Sequence, residues 1–192
     1  MELLSILSAF GLSASAGLNA YIPLLVVALL ARFTNLIQLS EPWNALTSWW
    51  VIGVLVVLSL IEFFADKVPA VNHANDALQS IIRPAAGALV FAASAQVITE
   101  IHPTLSIILG LLVSGSVHTV KSLAVRPAVT AATAGAGNIP VSILEDLLAT
   151  VVSILSVIVP VLVGIFLLLI AILIIWFLIR RREKRAQLHG IK

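Results

Sequence analysis

The longest apolar stretch sets the frame. From Asn138 to Ile179 the chain is almost continuously apolar. As one helix it would be about 60 Å long at 1.5 Å per residue. The hydrocarbon core of a bilayer is only about 30 Å thick. The run therefore reads as two membrane spans hinged near Pro160. The second span, about Val161 to Leu178, ends at a basic cluster from Arg180 to Arg185 that stops transfer. Residues 1–179 then form a single transmembrane helical domain, and 180–192 a basic cytoplasmic tail.

The rest of the chain has the same character. Hydrophobic residues make up 60% and charged residues 10%. A globular domain typically has about 45–50% and about 25%. Mean hydropathy is +1.14. Such a chain needs lipid as solvent. The absence of cysteine excludes a disulfide framework, a thiolate metal site and a cysteine nucleophile.

Four further spans are predicted upstream. The first is Leu3 to Ala31. Ala14-Ser15-Ala16 resembles a leader cleavage site, but Glu2 replaces the expected basic residues and apolar sequence resumes at Tyr21. Gly11, Gly17, Asn19 and Pro23 interrupt this span. They fit close packing through small residues, or a helix broken at Asn19 and Pro23 beside a cavity. Thr34–Ser48 is a polar loop, and Trp43, Trp49 and Trp50 form an interfacial belt. The second span is Trp49 to Phe64. Val71–Ile82 reads as a separate short amphipathic helix, interfacial or re-entrant, too short to span. The third span is Pro84 to Ile98, and the fourth, Thr104 to Leu123, stops at Arg126-Pro127. Ala128–Gly137 is a small-residue run, suited to a re-entrant segment or a plain connection. The expected architecture is all-α, a polytopic bundle of about six spans. Gly11 and Pro23 share their spacing with Gly115 and Pro127, the pattern of a weak three-plus-three inverted repeat.

Six spans give a strong charge asymmetry. With the C-terminal cluster in the cytoplasm, Lys67, Arg83, Lys121 and Arg126 fall on that side and only Arg32 outside. Both termini are expected in the cytoplasm, in a cell inner membrane. The same topology gathers Glu62, Asp66, Lys67, Asp76, Arg83, His118, Lys121, Arg126, Glu145 and Asp146 at one level. Intramembrane ionisable residues pair or mark a functional path. Adjacent helical residues point about 100° apart. One of Glu145 and Asp146 should therefore face Lys121 or Arg126, and the other the polar stretch after Glu62.

No enzyme signature stands out. Lys121 and Arg126-Pro127 faintly match the first motif of lipid phosphatases, but the spacing differs and the later motifs are absent. HExxH and GxSxG are missing, so no metal, cofactor or catalytic residue is expected. Nucleic acid is excluded as a partner, since the basic tail reads as an anchor. The expected partners are the lipid bilayer and a small solute, ion or lipid headgroup; the oligomeric state is unreadable.

Several segments together carry a likeness: GLNAYIPLL at Gly17–Leu25, ADKVP at Ala65–Pro69, and NDALQSIIRP at Asn75–Pro84. His118-x-x-Lys121 with Arg126, and Asn138 before Glu145-Asp146, complete the set. The chain thus resembles the domain-of-unknown-function 4126 family of multi-pass bacterial membrane proteins over nearly its whole length. Members carry a Ser-Pro-Glu-Pro-like loop where this chain has Thr133–Gly137. The resemblance implies an integral membrane protein and supplies no activity. Three readings follow from the residues: a small transporter with a charged vestibule, a scaffold held by structural ion pairs, or a membrane enzyme acting on lipid headgroups.

Overall fold

The computed structural model describes the backbone of residues 2–67, 69–95 and 102–189. It describes their side chains except at 2, 69–74, 76, 95, 174, 177, 178 and 181–189. The described residues are helical apart from short connections. In order they form α1 (Glu2–Leu18), α2 (Tyr21–Phe33), a 3-10 turn (Trp43–Thr47), α3 (Trp49–Ala65) and α4 (Pro69–Ala95). Then follow α5 (Pro103–Val120), a π-helical turn (Lys121–Val125), α6 (Arg126–Thr133), α7 (Asn138–Ile158) and α8 (Pro160–His189).

α1 lies at the centre, against α4, α5, α7 and α8. Its small residues explain why. A Cβ on Gly17 would sit 2.6 Å from the Ser114 carbonyl oxygen of α5, and one on Gly11 would run into Ser156 of α7 and Val163 of α8. Ser13 Oγ donates to the Gly110 carbonyl at 2.9 Å, and Ser15 Oγ to the Ala149 carbonyl at 2.7 Å. Such bonds within membranes average about 0.6 kcal/mol, so they set helix register more than they hold the bundle together. The apolar core is Leu12, Ala16 and Ala20 with Leu24, Val27 and Ala28, closed by Ile52, Leu55, Ala86 and Val90. The small-residue reading of the first segment therefore holds.

The first segment is also broken, at Asn19 and not at Pro23, and this corrects the first span. Leu3–Ala31 is two helices parted at Asn19–Ala20. Asn19 ends α1 and caps α2: its Oδ1 accepts from the N–H groups of Tyr21 and Ile22 at 3.1 and 3.0 Å. Pro23 does not break anything. It occupies the first turn of α2, where no intrahelical N–H is needed.

Two prolines expected to end helices lie inside them. The amphipathic segment Val71–Ile82 and the third span are one helix, α4, which runs through Pro84. The loss of one backbone bond is tolerated when neighbouring helices supply others. Here α4 is tied to α5 beside the proline, where Ser114 Oγ donates to the Arg83 carbonyl at 2.7 Å, and Arg83 is pinned by its side chain on Glu62. Leu78 and Ile81 point outward from α4; the side chains of Val71 and Ala74, and residues 96–98 of the expected span, lie outside the described residues. Pro127 likewise fails to stop the fourth span. α5, the π turn and α6 form one rod, Pro103–Thr133. The π turn shifts the register just before Pro127, as the Arg126 N–H bonds the Lys121 carbonyl. The small-residue run is the end of this rod plus a turn, with Ala134 and Gly135 at positive φ.

α1 and α5 run side by side in the same direction. Ser13 meets Gly110, Gly17 meets Ser114 and Val117, and the Leu18 carbonyl meets Lys121. An inverted repeat pairing these segments would oppose them, so that expectation is not met. The hinge near Pro160 is present, between α7 and α8. Among the described residues, three helical stretches are long and apolar enough to cross a membrane: Ala77–Ser94, Pro103–Thr133 and Asn138–Ile158. Shorter apolar helices are Leu3–Leu18, Tyr21–Phe33, Trp49–Ala65 and Pro160–Leu173.

Candidate functional site

The fold turns the usual soluble arrangement inside out. Val54, Val57, Leu60 and Ile61 of α3, Leu112 of α5, Leu144 and Leu147 of α7 and Leu168 of α8 are exposed. Glu62, Asp66, Arg83, Lys121, Arg126, Glu145 and Asp146 are buried. Apolar faces outward and charges inward suit a lipid-embedded bundle.

The buried charges meet where α1 breaks. Arg83, fully buried, donates to Glu62 Oε1 from Nε at 3.2 Å and from an Nη at 2.9 Å. The Ala20 N–H, at the start of α2, also reaches the Glu62 carboxylate, at 3.2 Å. A helix N-terminus and a guanidinium thus share one carboxylate, as the backbone dipole favours. Lys121 answers at the other side of the break, donating to the Leu18 carbonyl at 2.9 Å. A cation there suits the last carbonyls of α1. The two polar ends opened by the broken helix are met by opposite charges from other helices.

Asp66 is the hub. Its Oδ2 lies 3.3 Å from Arg126, 3.5 Å from Arg83 and 3.7 Å from Lys121, and its Oδ1 accepts from Asn75 at 2.7 Å. Glu145 pairs with Arg126 at 2.6 Å and Lys121 at 3.0 Å. Asp146 turns the other way, to Lys67 at 3.4 Å and Asn19 at 3.0 Å. The two neighbours on α7 therefore split their partners as expected from their 100° separation. The π turn sets the partners of Lys121 and Arg126. In an unbroken α-helix, residues five apart point about 140° away from each other. The wider turn, closed by its i to i+5 bond, brings Lys121 and Arg126 onto the same two carboxylates.

His118 faces Arg83. Its Nδ1 lies 3.2 Å from the guanidinium, which can only donate, so Nδ1 accepts and Nε2 carries the proton toward Ser80 Oγ at 3.2 Å. A neutral imidazole of that tautomer completes the network. Of the ten charged and histidine residues expected at one level, nine converge here. The side chain of Asp76 lies outside the described residues. Four carboxylates face four cations: Glu62, Asp66, Glu145 and Asp146 against Lys67, Arg83, Lys121 and Arg126. Lys67 and Asp146 are the most exposed pair, with side chains 15% and 11% accessible.

Ser80 is the residue not expected at the site, while Asn75 and Gln79 belong to the polar face of the amphipathic segment, expected to meet water or the charged cluster. Asn75, Gln79 and Arg83 recur every four residues along α4, a stripe visible in the sequence as a polar line ending in arginine. Among the described residues no three His, Cys, Asp or Glu side chains converge in a metal-binding arrangement. An open apolar groove on α3, between Trp49 and Leu58, has none of the charged residues in its lining.

Fold and site together define a membrane-embedded helical bundle with a charged interior. The family model described as "Domain of unknown function (DUF4126)" matches residues 6–180, and the chain belongs to that family. No curated protein and no solved structure matches it.

Proposed function

We propose that this protein is a small-solute carrier of the bacterial inner membrane, and that its buried ion-pair network is the coupling site. One observation carries the reading: the break at Asn19–Ala20 lies inside the network, with each broken end tied to a charge on another helix. Discontinuous helices whose ends face ionised groups are a recurrent device of carriers. A π turn lies beside those groups, and such turns are frequent at functional sites. The test is flux. Proteoliposomes loaded with a pH-sensitive dye, given a gradient of acetate, phosphate or sodium, should move protons or solute faster than protein-free vesicles. Glu62→Gln should abolish the difference. Vesicles as tight as protein-free ones under all three gradients would overturn the carrier.

A second reading has its own support. Every charged side chain of the network has an opposite partner within 4 Å, as a purely structural scaffold requires.

The proposed orientation puts the charged end in the cytoplasm, because Lys67, Arg83, Lys121 and Arg126 collect there. α1 reaches that end at Leu18 and begins about 24 Å earlier along its axis. The start of α1 is then external, which revises the expectation of two cytoplasmic termini. Counting α8 as a returning span gives seven crossings and keeps the basic tail inside. In this cysteine-free chain, single cysteines at Ser5 and at Asn44 should both react with an impermeant maleimide from outside. Labelling of Ser5→Cys from the cytoplasmic face alone would restore the six-span topology.

A further inference from the structure

We infer that Arg83, Lys121 and Arg126 form an anion cradle whose resident occupant is the Asp66 carboxylate, and that a small oxyanion bearing its own O–H, of the phosphate type, takes Asp66's place there. The inference deepens the carrier reading and rests on it for passage across the membrane, though not for binding.

Four features support exchange. First, Asp66 Oδ2 is within 4 Å of all three cations. Convergent guanidinium and ammonium groups are the chemistry that recognises carboxylate and phosphate. Second, each cation keeps a carboxylate when Asp66 leaves: Arg83 keeps Glu62, while Lys121 and Arg126 keep Glu145. Vacating the cradle strands no cation. Third, Asp66 is the carboxylate best placed to move. Glu62, Glu145 and Asp146 lie within helices, whereas Asp66 caps the end of α3 in the turn before α4. A negative charge at a helix C-terminus is disfavoured by the backbone dipole, so Asp66 owes its place to the cations and Asn75. Fourth, Gln79 lies between Asn75 and Arg83 on the α4 stripe, and both of those reach Asp66. Gln79 is 2% exposed, and its Oε1 is buried without a hydrogen-bond partner among the described residues. A buried acceptor calls for a donor. A phosphate monoanion carries such a donor in its own O–H.

Charge bookkeeping agrees. The network holds four carboxylates and four cations with Asp66 in place. Moving Asp66 out to water leaves one positive charge, which a monoanion neutralises.

The experiment measures thermal stability of the full-length protein in detergent, with potassium phosphate against potassium chloride at matched ionic strength. Asp66→Asn should be stabilised by phosphate at concentrations at least tenfold lower than wild type needs. Adding Arg126→Gln should remove the effect. A short-chain phosphatidic acid tested in parallel separates the sources. If it acts below the phosphate concentration, the oxyanion is a lipid headgroup; if it does not, it is free phosphate. Equal responses of wild type and Asp66→Asn, or a response matched by chloride, would overturn the cradle. Should Asp66→Asn fail to fold, phosphorus NMR on wild type takes over. Inorganic phosphate should broaden with wild type and stay sharp with Arg126→Gln, and a sharp line with both would refute the site. Phosphate binding without flux would sink the carrier and leave the cradle. Flux of another solute without phosphate binding would do the reverse.

Discussion

Replacing Arg83 with leucine is expected to be among the most damaging single changes in the molecule. The guanidinium is fully buried and serves Glu62, Asp66 and His118 at once. Lys121 and Arg126 still cover Asp66 when it is gone. Glu62 has no second cation within 4 Å among the described residues, and only the Ala20 N–H remains. Stranding one member of a buried pair costs about 3–5 kcal/mol. For a chain of this size that corresponds to roughly 6–20 °C in Tm. The double change Arg83→Leu with Glu62→Gln removes both charges and should recover most of the loss. Differential scanning fluorimetry of the purified proteins reads this directly. A double variant no more stable than Arg83→Leu alone would mean that Arg83 acts through packing and not through its charge.

Much of the site was legible because charge is expensive in lipid. Glu62, Asp66, Arg83, Lys121, Arg126, Glu145 and Asp146 stand out from apolar surroundings, and positive-inside counting puts them at one end. The split between Glu145 and Asp146 followed from helical geometry alone. The fold was less legible at its joints. Interior prolines do not act here as they would in a soluble chain. Pro84 and Pro127 read as stops, yet packing against α5 and a π turn carry the helix past them. Asn19 and Pro23 both marked the first span as interrupted, and of the two it is Asn19 that makes the break. Its amide caps two N–H groups and reaches Asp146, and no local pattern encodes that distant partner. In the orientation proposed above, that one joint changes the parity of the spans, and with it the side assigned to the N-terminus.

Lys121 and Glu145 offer the sharper separation between structure and function. Lys121 touches Glu145, Asp66 and the Leu18 carbonyl, and Glu145 is shared with Arg126. Lys121→Met leaves the network one positive charge short, though Arg126 still covers both carboxylates. Glu145→Gln leaves Lys121 and Arg126 crowded on Asp66, one positive charge in excess. Each single variant is expected to lose stability, by less than Arg83→Leu because a second partner remains. Their combination restores neutrality, with Arg126 held by Asp66 and Arg83 by Glu62. The double variant should therefore melt above either single one, with a coupling of about 0.5–3 kcal/mol as found for residues sharing a network. The unmatched Leu18 carbonyl keeps the recovery incomplete, since Met donates no hydrogen bond. A structural pair predicts this non-additivity in Tm. A pure ligand site predicts single variants that melt like wild type and lose only flux or phosphate binding. Unchanged melting for both Lys121→Met and Glu145→Gln would rule out the structural role of this pair.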